Sequence, residues 1–221
     1  GHALVGIHVP QHDPLHKVTI IPRGRALGVT MSLPEKDKYS YSKLELRSKL
    51  VVMFGGRLAE EIVFGEENIT TGAGNDIHQA TDMARRMVTE YGFSDKLGAL
   101  RYTDNEEEVF LGHSVARQQH VSDATAKLID DEVRSLIDEA GERARTILTE
   151  HHDDLEMLAQ ALLEYETLSG DEVNALLRGE SIVRPDPDDG DPDEGARTSV
   201  PSSGPRKERP GNFTAEPQPE T

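Results

Sequence analysis

The side chains able to do chemistry here are histidines and carboxylates: the 221 residues contain nine histidines and no cysteine. Without thiolates, any transition metal must be held by His, Asp or Glu. His8, His12 and His16 stand at i, i+4 and i+8, a spacing that stacks side chains on one face of a helix. Pro10 and Pro14 interrupt that run, and proline breaks a helix by removing a donor and clashing with the preceding turn. These three histidines therefore read as loop or structural residues. His78, His113, His120, His151 and His152 have no partner at ligand spacing and are expected on the surface. His2 differs, because Ala3-Leu4-Val5-Gly6-Ile7 continues from it as a buried helix.

Asp76 is the second residue of interest. It ends a stretch of small residues, ITTGAGND over 69–76, at the start of a helical pattern. By residue chemistry alone, an aspartate there is an N-cap satisfying free backbone N–H groups, and that reading is favoured over a metal ligand. Gly72 and Gly74 do not make a dinucleotide loop, since the third glycine and a preceding parallel strand are lacking. No Walker A motif occurs.

Elements that could position these residues are legible from periodicity and punctuation. KVTIIPRG from Lys17 and LGVTMSLP from Leu27 are β-rich runs bounded by Pro and Gly, expected as a small sheet or hairpin. A helix is predicted through SKLELRSKLVVMFGGRLAEEIVFG, with Leu44, Leu50, Phe54, Leu58 and Ile62 on one face. The Gly55-Gly56 pair inside it costs roughly 1 kcal/mol per glycine relative to alanine, which predicts a close backbone approach there. The next helix, DIHQATDMARRMVTEYG, directs Ile77, Ala80, Ala84, Met87, Val88 and Tyr91 inward and ends at Gly92.

Three further helices make up the C-terminal half. Ser122 caps a long one whose stripe runs through Ala126, Ile129, Val133, Leu136, Ile137, Ala140, Ala144 and Ile147 or Leu148. The next carries Leu155, Leu158, Leu162 and Leu163, and Ser169 with Glu172 forms a capping box for the last, with Gly179 as its stop. The fold class is mainly α, with a small β-sheet or hairpin near the N-terminus and a C-terminal helical bundle. The domain spans 1–183. Residues 184–221 are an acidic Pro/Gly-rich tail holding eight of the 12 prolines, expected to be disordered because it buries too little apolar surface.

A net charge of -17 and a pI near 4.9 argue against nucleic acid and anionic membranes, which need clustered Lys and Arg. No apolar run approaches the roughly 20 residues that span a bilayer, and no signal peptide is present, so this polypeptide is expected to be soluble by itself.

Taken in order, GHALVG, HDPLHKVTIIPRG, FGGRLAEEIVFG, TTGAGNDI, ATDMARRMV and YGFSDKLG resemble the peptidase domain of the FtsH-type ATP-dependent zinc metalloproteases, from Gly1 to about Leu177. In that family a helix carries H-E-x-x-H, whose histidines at i and i+4 reach one Zn2+ while the glutamate takes a proton from the attacking water. The resemblance implies that His2 is the last letter of the motif. The first histidine and the general-base glutamate then fall ahead of Gly1, so no catalytic base lies in this chain, which is expected to bind zinc very weakly and to cleave nothing.

The resemblance further implies that Asp76 is the third zinc ligand. Glu60 matches a family acidic residue that would orient a ligating histidine; on its own chemistry it reads equally well as a solvent-facing helix charge. Gly28, Val29, Thr30 and Met31 would supply an edge strand on which substrate adds as a further strand. The parent protein implied is a membrane-anchored homohexamer of the bacterial inner membrane, its peptidase domain facing the cytoplasm. It would use ATP, in the full-length parent only, to degrade unfolded or membrane proteins, and its contact with the membrane would come through segments upstream of Gly1. The competing class is a non-catalytic helical oligomerisation or interaction module. An acidic nucleic-acid mimic would account for the charge but for none of the motifs.

Overall fold

The computed structural model describes residues 1–22, 24, 27–34, 37–102, 121–182 and 184, and Gly1–Ile182 forms one compact unit. His113, His120 and the expected tail beyond Arg184 lie outside the described residues. The first helix, α1, is His2–His8, with Leu4 and Val5 completely buried. Val9 is already extended, as the residue before Pro10 should be.

A three-stranded antiparallel sheet follows, built from β1 (Leu15–Thr19), β2 (Val29–Ser32) and β3 (Thr167–Ser169) in the order β2-β1-β3. The expected hairpin is β1 and β2, with Val18 opposite Thr30. The third strand has no periodic signal of its own, at only three residues. It is held from far along the chain, where Val18 faces the fully buried Leu168 and the hydroxyls of Thr19 and Thr167 lie 2.7 Å apart. The sheet leaves β2 as an edge strand, its other side turned away from β1.

Helix α2, Lys43–Phe64, opens with a capping box: Ser42 Oγ accepts from the Glu45 N–H at 3.1 Å, and Glu45 Oε2 accepts from the Ser42 N–H at 2.7 Å. Lys38 bridges Asp13 at 2.6 Å and Glu45 at 2.8 Å, tying the segment after α1 to the start of α2. The buried face departs from the expected one. Leu50 and Leu58 are buried, but Leu44 is 44% exposed and Phe54 and Ile62 are only partly covered, while Leu46, Val51 and Gly55 turn inward. A helix packed against α1 and two later helices buries a wider arc than a single stripe, and Leu44 stands in the first turn, short of those contacts.

After two short 3-10 turns at Glu66–Asn68 and Thr71–Ala73 comes α3, Gly74–Thr89. Ala80, Ala84, Met87 and Val88 are buried as expected, whereas Ile77 and Tyr91 are more than two-fifths exposed. The helix stops at Thr89, so helical spacing no longer governs Tyr91; the chain turns out through Gly92 at φ 63°, a conformation that favours glycine.

The C-terminal helices are α4 (Asp123–Glu150), α5 (His152–Tyr165) and α6 (Gly170–Leu177), with the expected caps at Ser122 and Ser169–Glu172. On α5, Leu155, Leu158 and Ala161 face the core and Leu163 is 70% exposed, so the stripe follows Ala161 and not the last leucine. His151 is half-buried instead of exposed: its ring lies 3.8 Å from that of His8, and its Nδ1 sits 2.9 Å from Asp154. His78 is exposed and pairs with Asp82 at 3.3 Å, one helical turn away.

The Lys38 ammonium and the Ser42 amide hold the Glu45 carboxyl at about 2, from an ordinary 4.5. A depressed carboxyl contributes stability that is complete above its unfolded pKa and lost as pH falls through the folded one. Urea unfolding of Glu45→Gln against the parent chain should therefore show a deficit at pH 7 that shrinks below about pH 4.3 and is gone near pH 2. A deficit independent of pH would mean that the carboxylate charge is not what matters.

Candidate metal centre

The site begins where two helices touch without intervening side chains. Gly1 and His2 cross α2 at Gly55 and Gly56: a Cβ on Gly55 would stand 3.0 Å from the His2 backbone nitrogen and 3.1 Å from the Gly1 carbonyl carbon. A Cβ on Gly1 would run into the Gly55 carbonyl, and one on Gly56 would overlap the His2 imidazole. The close approach expected from the glycine pair is thus present, and what fills the space is a histidine ring.

Held in this way, His2 Nε2 reaches Asp76 Oδ2 at 3.1 Å across 74 positions of sequence. The carboxylate accepts and the ring N–H donates. Burial lowers the His2 pKa, opposed by the negative charge of Asp76, and the neutral imidazole thereby favoured is the form that binds metals. Asp76 is not an N-cap. Ala73 occupies that position, with no side-chain bond at the cap, and Asp76 lies three residues further along in the first turn. A carboxylate there still complements the helix dipole, but its side chain is committed to His2.

Glu60 is also in this groove, and it is not merely a solvated helix charge. Its Oε2 accepts from the Thr70 N–H at 2.9 Å and from Thr70 Oγ1 at 3.0 Å, while Thr70 Oγ1 accepts from the Gly72 N–H at 3.2 Å. This relay ties α2 to the turn that launches α3 and thereby sets where Asp76 begins. Among the described residues Glu60 bonds with Thr70 and makes no hydrogen bond to His2. Thr70 was not singled out from the sequence; the signal available was a threonine two residues before a glycine, the pattern of a hydroxyl-closed turn.

These groups line one open groove of about 1550 Å³, whose wall also includes Gly28, Val29 and Thr30 of the β2 region, whereas Met31 does not line it. Gly28 lets that wall close in, because a Cβ there would stand 2.7 Å from the Thr19 carbonyl oxygen. His12, read from sequence as a loop histidine, lines the groove as well.

The donor pair suits zinc. Two ligands of a tetrahedral Zn2+ at about 2.0–2.1 Å stand roughly 3.3 Å apart, close to the 3.1 Å between His2 Nε2 and Asp76 Oδ2. Among the described residues no third His, Cys, Asp or Glu joins them in a metal-holding cluster.

Residues 1–176 match peptidase family M41. The chain is 59% identical over 179 residues to the ATP-dependent zinc metalloprotease FtsH of Caulobacter vibrioides, a match covering 81% of this chain and 29% of the relative. Its identity to the proteins of the same name from Haemophilus influenzae and Photobacterium profundum is 54% over 185 residues and 50% over 203, covering 84% and 92% of this chain. The chain spans about three tenths of the length of these curated relatives.

The two adjacent glycines should respond differently to substitution. Gly55→Ala meets backbone and should cost about 1–3 kcal/mol of unfolding free energy. Gly56→Ala meets the movable end of an imidazole, so stability should change little while the His2 ring leaves Asp76. Urea titration and the ring 15N resonances of His2 would separate the two effects, and equal destabilisation by both variants would contradict this description of the crossing.

Proposed function

The chain belongs to peptidase family M41, and we propose that it is the zinc-endopeptidase domain of an ATP-driven, membrane-anchored protease that degrades unfolded or membrane proteins as a homohexamer. The observation that carries this reading is the His2–Asp76 pair, 3.1 Å apart in a groove that is also lined by residues of the edge strand β2.

In this proposal His2 Nε2 and Asp76 Oδ2 are two of three protein ligands, and a His-Glu-x sequence ahead of Gly1 supplies the third ligand and the general base. Zinc bound there supplies Lewis acidity, which activates water near neutral pH and polarises the carbonyl of the bond to be cut. His2 is kept neutral and fixed in orientation by its burial against Gly56. Asp76 contributes a negative charge whose position follows from the Glu60–Thr70–Gly72 relay, so Glu60 acts on the site through the start of α3. An extended substrate adds along Gly28–Met31, where main-chain hydrogen bonds give affinity with little side-chain choice, which suits the degradation of unfolded chains. Among the described residues no helix is long and apolar enough to cross a membrane; anchoring, ATP use and hexamer formation belong to the parent protein in this reading, with the domain facing the bacterial cytoplasm. In this proposal a polypeptide that starts at Gly1 would hold zinc very weakly and hydrolyse nothing, because the His-Glu-x sequence supplies a ligand and the base.

The test compares zinc stoichiometry and casein cleavage for this polypeptide and for one with His-Glu-Ala placed before Gly1, each with an Asp76→Ala control. The extended chain should bind one zinc tightly, and Asp76→Ala should weaken that binding at least about 100-fold, since loss of a mere supporting partner already costs 10–100-fold. If neither polypeptide holds zinc, the ligand assignment fails; if the unextended one cleaves casein, its proposed inactivity fails. Proline placed singly at Val29, Thr30 and Met31 tests the edge strand, because successive N–H groups point to opposite sides of a strand. Positions whose N–H faces β1 should lose stability, and the others should keep the fold while losing peptide binding. Binding retained by every folded proline variant would remove the strand from the site.

A further inference from the structure

His12 lines the groove, and the reading above leaves its chemistry unused. Its Nδ1 lies 2.9 Å from the Asp13 carbonyl oxygen. A carbonyl only accepts, so Nδ1 carries the proton and Nε2 carries a lone pair. The ring edge formed by Cε1 and Nδ1 rests over Gly6, where a Cβ would come within 3.3 Å of both atoms. No hydrogen bond of Nε2 is found among the described residues, and no buried side-chain nitrogen or oxygen is left without a partner, so Nε2 is open to solvent. Burial lowers the His12 pKa, with the Asp13 carbonyl opposing it; the ring is therefore neutral near pH 7 and the lone pair is available.

We propose that His12 Nε2 is a substrate-binding acceptor that takes a hydrogen bond from a main-chain N–H of the extended peptide lying along β2. The tautomer decides the kind of partner: an Nε2 without a proton cannot donate to a substrate carbonyl or to charge developing on its oxygen, so it takes a donor. Geometry decides the place. His12 packs at Gly6, one helical turn beyond His2 on α1, which is about 6 Å at 1.5 Å per residue. Extended chain rises about 3.3 Å per residue, so the N–H that His12 receives lies roughly two residues from the bond held at His2 and Asp76. β2 and His12, which line the same groove, would then both hold the peptide through its main chain, without regard to side chains.

This inference rests on the peptidase reading of the groove, and the experiment separates the two. A short fluorescein-labelled casein peptide is titrated with the chain and binding is followed by anisotropy, for the parent, His12→Gln and His12→Phe, with folding checked by circular dichroism. Gln retains an acceptor oxygen and should bind within about twofold of the parent, whereas Phe should bind about fivefold more weakly, the worth of one ordinary hydrogen bond. Single N-methylation is then scanned along the peptide. At one position the methyl group should weaken binding to the parent by the same factor and leave binding to His12→Phe unchanged; positions bonded to β2 should be affected equally in both proteins. In the unsubstituted chain, peptide should move the 15N resonance of His12 Nε2 and leave Nδ1 in place. Equal binding by the parent and His12→Phe, or an N-methyl profile identical in both, overturns the role of His12 while leaving the peptidase reading intact. Absence of peptide binding to the parent chain overturns both.

Discussion

Contact between the backbone of α1 and that of α2 governs the geometry of this molecule. Helices ordinarily stand 8–10 Å apart because side chains separate them; at Gly1, Gly55 and Gly56 there is no Cβ to do so, and the His2 imidazole fills the space that a side chain at position 56 would have taken. The conformational cost of two glycines in the middle of a 22-residue helix is offset by burial of Leu4, Val5 and Leu50 on either side of the crossing. A ring fixed against a helix backbone has little rotamer freedom to lose when it engages a partner, which is the requirement for a preorganised ligand.

Asp76 reaches the same place by an independent route. Its helix begins at Gly74, directly after the short Thr71–Ala73 turn that Thr70 caps, and Thr70 is bonded to Glu60 on α2. Both members of the donor pair are thus referenced to one element, α2, His2 through Gly56 and Asp76 through Glu60. Glu60 and Gly56 are one turn apart on that helix, a rigid spacing of about 6 Å. A single rigid helix carrying both references keeps the pair in register even if peripheral loops move. The Arg145–Glu61 ion pair at 2.7 Å adds a tie from α4 to the adjacent position of α2.

The sheet supplies further lining of the groove through Leu15, Thr19, Val29, Thr30 and Ser32. β1 is satisfied on both edges by β2 and β3, which leaves β2 with one unpaired row of donors and acceptors. An exposed edge is a hazard unless something manages it, and here it is short, four residues, and faces a groove rather than open surface. The far strand, β3, is anchored at the N-terminus of α6, where Gly170 lies against the Leu15 carbonyl. Position and exposure of the edge strand therefore depend on residues from opposite ends of the domain.

Interactions confined to three or four neighbours were legible in the sequence. The Ser42–Glu45 and Ser169–Glu172 boxes, the Ser122 cap, the stripe of α4 and the Ala80, Ala84, Met87 and Val88 part of the α3 stripe are written in i to i+4 relations and formed where those relations put them, whereas Ile77 and Tyr91 stayed exposed. The requirement for a close approach at Gly55-Gly56 was likewise readable from the cost of placing two glycines in a helix, although not the identity of the approaching group. What the tertiary structure alone decided are the features whose partners are remote: the His2–Asp76 pair, which removes Asp76 from capping, the pairing of Thr19 with Thr167, the stacking of His8 on His151, and the rotation of the α2 and α5 faces towards Leu46 and Ala161. A local pattern states which residues share a face of an element; which arc of that face is covered, and which polar groups meet there, is set by the elements packed against it, and no relation between near neighbours in the chain encodes that.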